Sequence, residues 1–157
     1  DLSGADVNDS GLTVVGKLPE LQELHASFCR FGDAGLKAIA GLAHLKRLNV
    51  GHTKVTNAGL DAVAKLASLE SLNLEHTKVT DAGFAALTGL AKLATLELDS
   101  VDLTDAGIAH LGELRGLKDL DLYHTLVSEK GFEQLKTRLP GCRIQYDRDS
   151  TRRERRS

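Results

Sequence analysis

Residues 48–68 read LNVGHTKVTNAGLDAVAKLAS and residues 72–92 read LNLEHTKVTDAGFAALTGLAK. The offset is 24 residues, and the same step relates Leu21, Leu45, Leu69, Leu93 and Leu117. With those leucines as position one, position four is Leu24, Leu48, Leu72, Leu96 and Leu120. Position six is Ala26, Val50, Leu74, Leu98 and Leu122; position eleven is Phe31, Val55, Val79, Leu103 and Val127. Position fifteen is always glycine: Gly35, Gly59, Gly83, Gly107 and Gly131. Backwards, Leu2, Val7, Gly11 and Leu12 fill positions six, eleven, fifteen and sixteen of a truncated first repeat. Forwards, Leu139, Cys142 and Ile144 fit positions one, four and six if two residues are deleted, giving six repeats and a final strand.

Each repeat holds two periodicities. Positions four and six are apolar with polar residues between them, as in a strand with one buried face. From position twelve the apolar residues recur at helical spacing, for example Leu60, Val63 and Leu66. Thr56, Thr80 and Thr104 stand where a helix N-cap is needed, and Asn57, Asp81 and Asp105 follow them. Acidic groups in a first turn suit the helix dipole. A strand–turn–helix unit of this size cannot bury its apolar side alone, so the units must stack. Glycine near a helix start costs ~1 kcal/mol relative to alanine. Its recurrence at position fifteen predicts a close approach between neighbouring units.

The consensus LxxLxLxxTxVTDAGLxxLxxL resembles the leucine-rich repeat family over residues 1–147. The asparagine that many members carry at position nine is replaced by Cys29, Thr53, Thr77, Val101 and Thr125. That variant, with its TDAG helix start, is similar to bacterial, planctomycete-type repeats and to the cysteine-containing repeats attached to F-box proteins. The resemblance implies an α/β solenoid, a right-handed α/β superhelix. Parallel strands would lie on its concave face and helices on its convex face.

Composition narrows the function. The net charge is −2, so the chain as a whole is not a polycation, and nucleic acid is not the expected partner. No apolar run is long enough for a membrane span. Cys29 and Cys142 form no metal-binding spacing, and two free, largely buried thiols are expected. Free thiols favour a reducing, cytoplasmic compartment. The chain starts at Asp1, mid-repeat, and contains no methionine. A fragment or processed form is therefore expected, with further repeats or another domain upstream. Residues 148–157 carry five arginines against Asp149 and Glu154, and no apolar pattern continues there. A disordered tail is expected after the domain of residues 1–147.

A solenoid of this kind exposes the outward positions of its strands. Asn49, Asn73, Glu97 and Asp121 occupy position five, Glu75, Asp99 and Tyr123 position seven, and Asp119 position three. His52, His76 and His124 occupy position eight, to which the deletion also assigns Tyr146. Charges beside exposed aromatics suit a protein-binding face, so these twelve residues are the candidate site. Neither the histidines nor the carboxylates have the spacing of a metal or catalytic set. No metal, cofactor, small-molecule substrate or catalytic activity is expected. The family resemblance implies non-catalytic recognition of a partner protein. Its alternative is the substrate-recognition segment of a larger ubiquitin-ligase-type or effector protein.

Overall fold

The computed structural model describes residues 1–148; most of the arginine-rich tail expected at 148–157 lies outside them. Six short strands, β1 (Glu23–His25), β2 (Arg47–Asn49), β3 (Ser71–Asn73), β4 (Thr95–Glu97), β5 (Asp119–Asp121) and β6 (Arg143–Gln145), form one sheet. The sheet is parallel throughout, in the order β1-β2-β3-β4-β5-β6. Helices alternate with the strands: α1 (Asp9–Val15), α2 (Asp33–Ile39), α3 (Asn57–Val63), a 3-10 helix at Asp81–Gly89, α4 (Asp105–Leu111) and α5 (Glu129–Arg138).

Pairing extends beyond the strands. The N–H at position six donates to the carbonyl at position five of the next unit, as in Val50 to Asn73 at 3.1 Å and Leu74 to Glu97 at 2.9 Å. Position eight donates to position seven in the same way, as in His52 to Glu75 at 2.8 Å. Leu2 and Gly4 donate to His25 and Ser27, so the truncated first repeat already follows this pattern. Between sheet and helices, positions one, four, six, eleven and sixteen build one apolar core, including Leu48, Leu69, Leu74, Val79 and Phe84. Each buried leucine contributes about 1.5–3 kcal/mol relative to an exposed one.

Threonine at position nine closes the corner. Thr53, Thr77 and Thr125 donate their hydroxyls to the carbonyls of Val50, Leu74 and Leu122, at 2.7, 2.7 and 2.8 Å. The thiol of Cys29 makes a different bond, to the Leu2 carbonyl in the preceding unit at 3.2 Å. Val101 has only its backbone N–H to give, and it donates to Leu98.

Position thirteen links each unit to the next. Asp33 accepts from the Thr56 N–H at 2.8 Å and the Thr56 hydroxyl at 2.7 Å. Asp81 holds Thr104 in the same two ways, and Asp105 holds Ser128. Asp9, which meets a glycine rather than a threonine, accepts from the N–H groups of Gly32 and Gly35. The expected close approach at position fifteen is therefore to a side chain: a Cβ on Gly59 would stand 2.6 Å from Asp33 Oδ1.

Two expectations need correction. Thr56 and Thr104 cap their helices by accepting from Ala58 and Ala106, but Thr80 does not cap its own. The preceding clasp residue is Asn57, whose amide donates to the Thr80 hydroxyl at 2.8 Å. That engages the oxygen that would otherwise accept from the helix, and this unit carries the 3-10 helix. The second correction is the deletion before β6. Leu120 pairs with Ile144 and Asp119 with Arg143, so the 24-residue step continues unbroken. Helix α5 runs ten residues where α1–α4 run seven. Its extra turn places Leu139 late in the repeat, and Leu139-x-x-Cys142-x-Ile144 only imitates the leucine spacing. Cys142 therefore sits at position two, half-buried, while Cys29 is buried; both are free.

Candidate protein-binding face

Outward residues of the strands and corners make the candidate face, and backbone geometry decides how each is presented. At position five, Asn49, Asn73 and Asp121 turn back to accept the N–H two residues on, from Gly51, Glu75 and Tyr123. This local bond tightens the bend out of the strand. Asn73 is buried, and its amide donates to Glu97. It builds the face rather than presenting itself on it. Asn49 is half-buried in the same role.

Position eight is left-handed in six successive units: Gly4, Phe28, His52, His76, Ser100 and His124 have φ between 50° and 74°. Such a backbone is disfavoured for residues with a Cβ, least so for asparagine, aspartate and histidine. Glycine at Gly4 and histidine at His52, His76 and His124 suit this backbone, and the corner aligns the position-eight side chains in a column. Phe28 and His52 stack with ring centroids 4.0 Å apart, and His52 and His76 follow at 4.2 Å. Burial lowers the His52 pKa, and His76 lowers it further, while Glu75 and Asp99 oppose the shift. His124 is detached from the stack and reaches one unit back, with Nδ1 2.8 Å from Asp99 Oδ1.

Carboxylates crowd the middle of the face. Burial and the Glu75 carboxylate raise the Glu97 pKa, against the bond from Asn73 that lowers it. Burial raises Asp121 as well, Asp99 and Glu75 adding to it against the Tyr123 N–H. At the two ends, charges are matched: Arg47 pairs with Glu23, and Arg143 Nη2 lies 2.6 Å from Asp119 Oδ1. A shallow depression of about 260 Å³ over β4–β6 is lined by Glu97, Asp119, Asp121 and Arg143. Tyr123 stands 39% exposed and Phe28 62% exposed.

Tyr146 is not part of the face. With the register corrected it falls at position six, partly buried against the core. It stacks on Phe132 at 4.5 Å and donates its hydroxyl to the Val127 carbonyl at 3.1 Å. Continuing the step from Leu120 to Ile144 is the sequence signal that places it. The other candidates are brought onto one face, with Phe28 and Ser100 as unassigned members of its corner column. Among the described residues no three His, Cys, Asp or Glu side chains are arranged to hold a metal ion. No described helix is long and apolar enough to cross a membrane.

Residues 19–79, a stretch entirely within the repeats, match the family model described as leucine rich repeat. Those residues are leucine-rich repeats. Leucine-rich repeats generally mediate protein–protein interaction. The leucine-rich repeat solenoid superposes on an internalin of Listeria monocytogenes with a TM-score of 0.73 at 23% identity, covering 86% of this chain and 37% of that one. Internalin C2 of the same organism gives 0.69 at 21% identity, covering 94% and 70%. A leucine-rich repeat protein of Leptospira interrogans gives 0.58 at 23%, covering 83% and 38%. At these identities the likeness concerns the fold. The chain spans 37% and 38% of the two longer structures. No curated protein matches the chain.

Proposed function

We propose that this leucine-rich repeat chain is a non-catalytic interaction module that takes a partner protein on its concave sheet face. The observation that carries the reading is the exposed Tyr123 beside Asp121, Glu97 and Asp99. An amphipathic ring next to charges fits a protein hot spot. The face is wide and shallow, a shape suited to another protein surface. The second reading, the substrate-recognition segment of a larger ubiquitin-ligase-type or effector protein, uses the same face.

The test is retention of a partner by the immobilised chain. Tyr123→Ala with Asp121→Ala should abolish retention and leave the melting temperature within a few degrees. Lys37→Glu with Lys65→Glu, on the helical side, should change nothing. The opposite pattern would place the binding face on the helices and sink the proposal.

A further inference from the structure

The corner column is a ring stack with a missing step. Phe28, His52 and His76 lie ring on ring at 4.0 and 4.2 Å. The next unit, ~4.8 Å further along the sheet, offers Ser100 in the same left-handed conformation, with φ 60°. Serine has no ring to continue the stack. His124, which follows, is tied to Asp99 by its Nδ1, and the Ser100 hydroxyl donates to the same carboxylate oxygen.

The surroundings of that step are anionic. Glu75 and Asp99 are position-seven neighbours, immediately before His76 and Ser100 in the chain. Arg47 and Arg143, the arginines of the strands, are already paired with Glu23 and Asp119. The other bare end of the stack, at Phe28, borders Gly4 and lacks this charge; the nearby Asp6 is paired with Arg30.

We propose that the step at Ser100 receives an arginine of the partner protein, its guanidinium lying flat on His76 and its N–H edge directed at Glu75 and Asp99. The inference rests on the concave-face reading and names the partner's chemistry. A guanidinium combines a flat, weakly hydrated face with donors around its rim, so it can stack and pair at once. A lysine ammonium satisfies the carboxylates but offers no plane to the imidazole. A phenyl ring would stack but offer no donor to either carboxylate.

The experiment is calorimetric titration of the full chain with two short synthetic peptides, identical except that one carries arginines where the other carries lysines. The arginine peptide should bind at least about fivefold more tightly. Ser100→His completes the stack with a residue that position eight already accepts at His52, His76 and His124. It should weaken the arginine peptide to the level of the lysine peptide without moving the melting temperature. Equal affinity for the two peptides, no detectable binding of either, or indifference to Ser100→His overturns the inference. Equal affinities that both fall on Tyr123→Ala and Asp121→Ala reject arginine recognition and leave the concave-face reading standing. Binding untouched by every concave change counts against both.

Discussion

Asp33 occupies the space that a side chain on Gly59 would need: its Oδ1 lies 2.6 Å from where the Cβ would be. The carboxylate cannot swing away cheaply, because both its oxygens are held by Thr56. Gly59→Ala should therefore destabilise by about 2 kcal/mol, in the range of overpacking and broken-network substitutions. Asp33→Ala removes the obstacle along with the clasp. In urea denaturation the double variant should lose less than the sum of the two single losses. Strict additivity would show that the glycine is required for another reason.

Asn57→Asp should convert the one amide clasp into the carboxylate form found at Asp33, Asp81 and Asp105. The Thr80 hydroxyl would then donate to the carboxylate and be free to accept from its own helix. The expected gain is about 1 kcal/mol, the usual worth of an N-cap. Far-ultraviolet circular dichroism should show added α-helical signal. A lower denaturation midpoint would separate the 3-10 geometry from the clasp.

Glu97 tests the crowding of carboxylates. Its pKa is raised in the folded state, by burial first and Glu75 second. The folded protein then binds more protons than the unfolded one between the two pKa values, so stability falls as pH rises through that window. Glu97→Gln removes this penalty while keeping an acceptor for Asn73. The variant should melt higher than the parent at pH 7, and the difference should shrink as the pH falls towards the ordinary carboxylate value of 4.5. A difference that grows on acidification would reverse the sign.

His52 adds a second pH dependence. Its pKa is lowered by burial and by His76. For a base depressed in the folded state, stability is complete above the ordinary value of 6.5 and is lost as pH falls below it. His52→Phe keeps a stacked ring without a titrating group. Melts between pH 7.5 and 5 should show a shallower acid loss in the variant. A parallel decline in both proteins would show that His52 does not contribute.

Tyr146→Ala should destabilise by about 2 kcal/mol, as expected for a partly buried aromatic with a bonded hydroxyl, without weakening partner binding. Tyr123→Ala should do the reverse. An exchange of these effects would restore the register with a two-residue deletion.

The repeat made most of the architecture legible, because positions four, six, eleven and sixteen announce a strand face and a helix stripe together. Legibility failed where a local spelling was ambiguous. LPGCRI imitates the leucine pattern, and only the strand pairing of Leu120 with Ile144 displaces it. The clasp was half visible: the adjacent Thr and Asp of TDAG are plain, but their bonding partners lie 23 residues away. Asn73 looked like a surface residue by its position, yet two side-chain bonds draw it in. The left-handed corner was hidden for a different reason. Phe28 and Ser100 do not advertise that backbone, and it emerges only when the column is seen in space.

The clasps also make the protein divisible. Excising Asn57 through Thr80 would join Thr56 directly to Asp81, leaving Asp33 with its own threonine and Asp81 with Thr104. Every remaining clasp would be one that the chain already contains. A shorter protein with matched joints could thus arise by a single in-frame loss, and a longer one by the corresponding duplication.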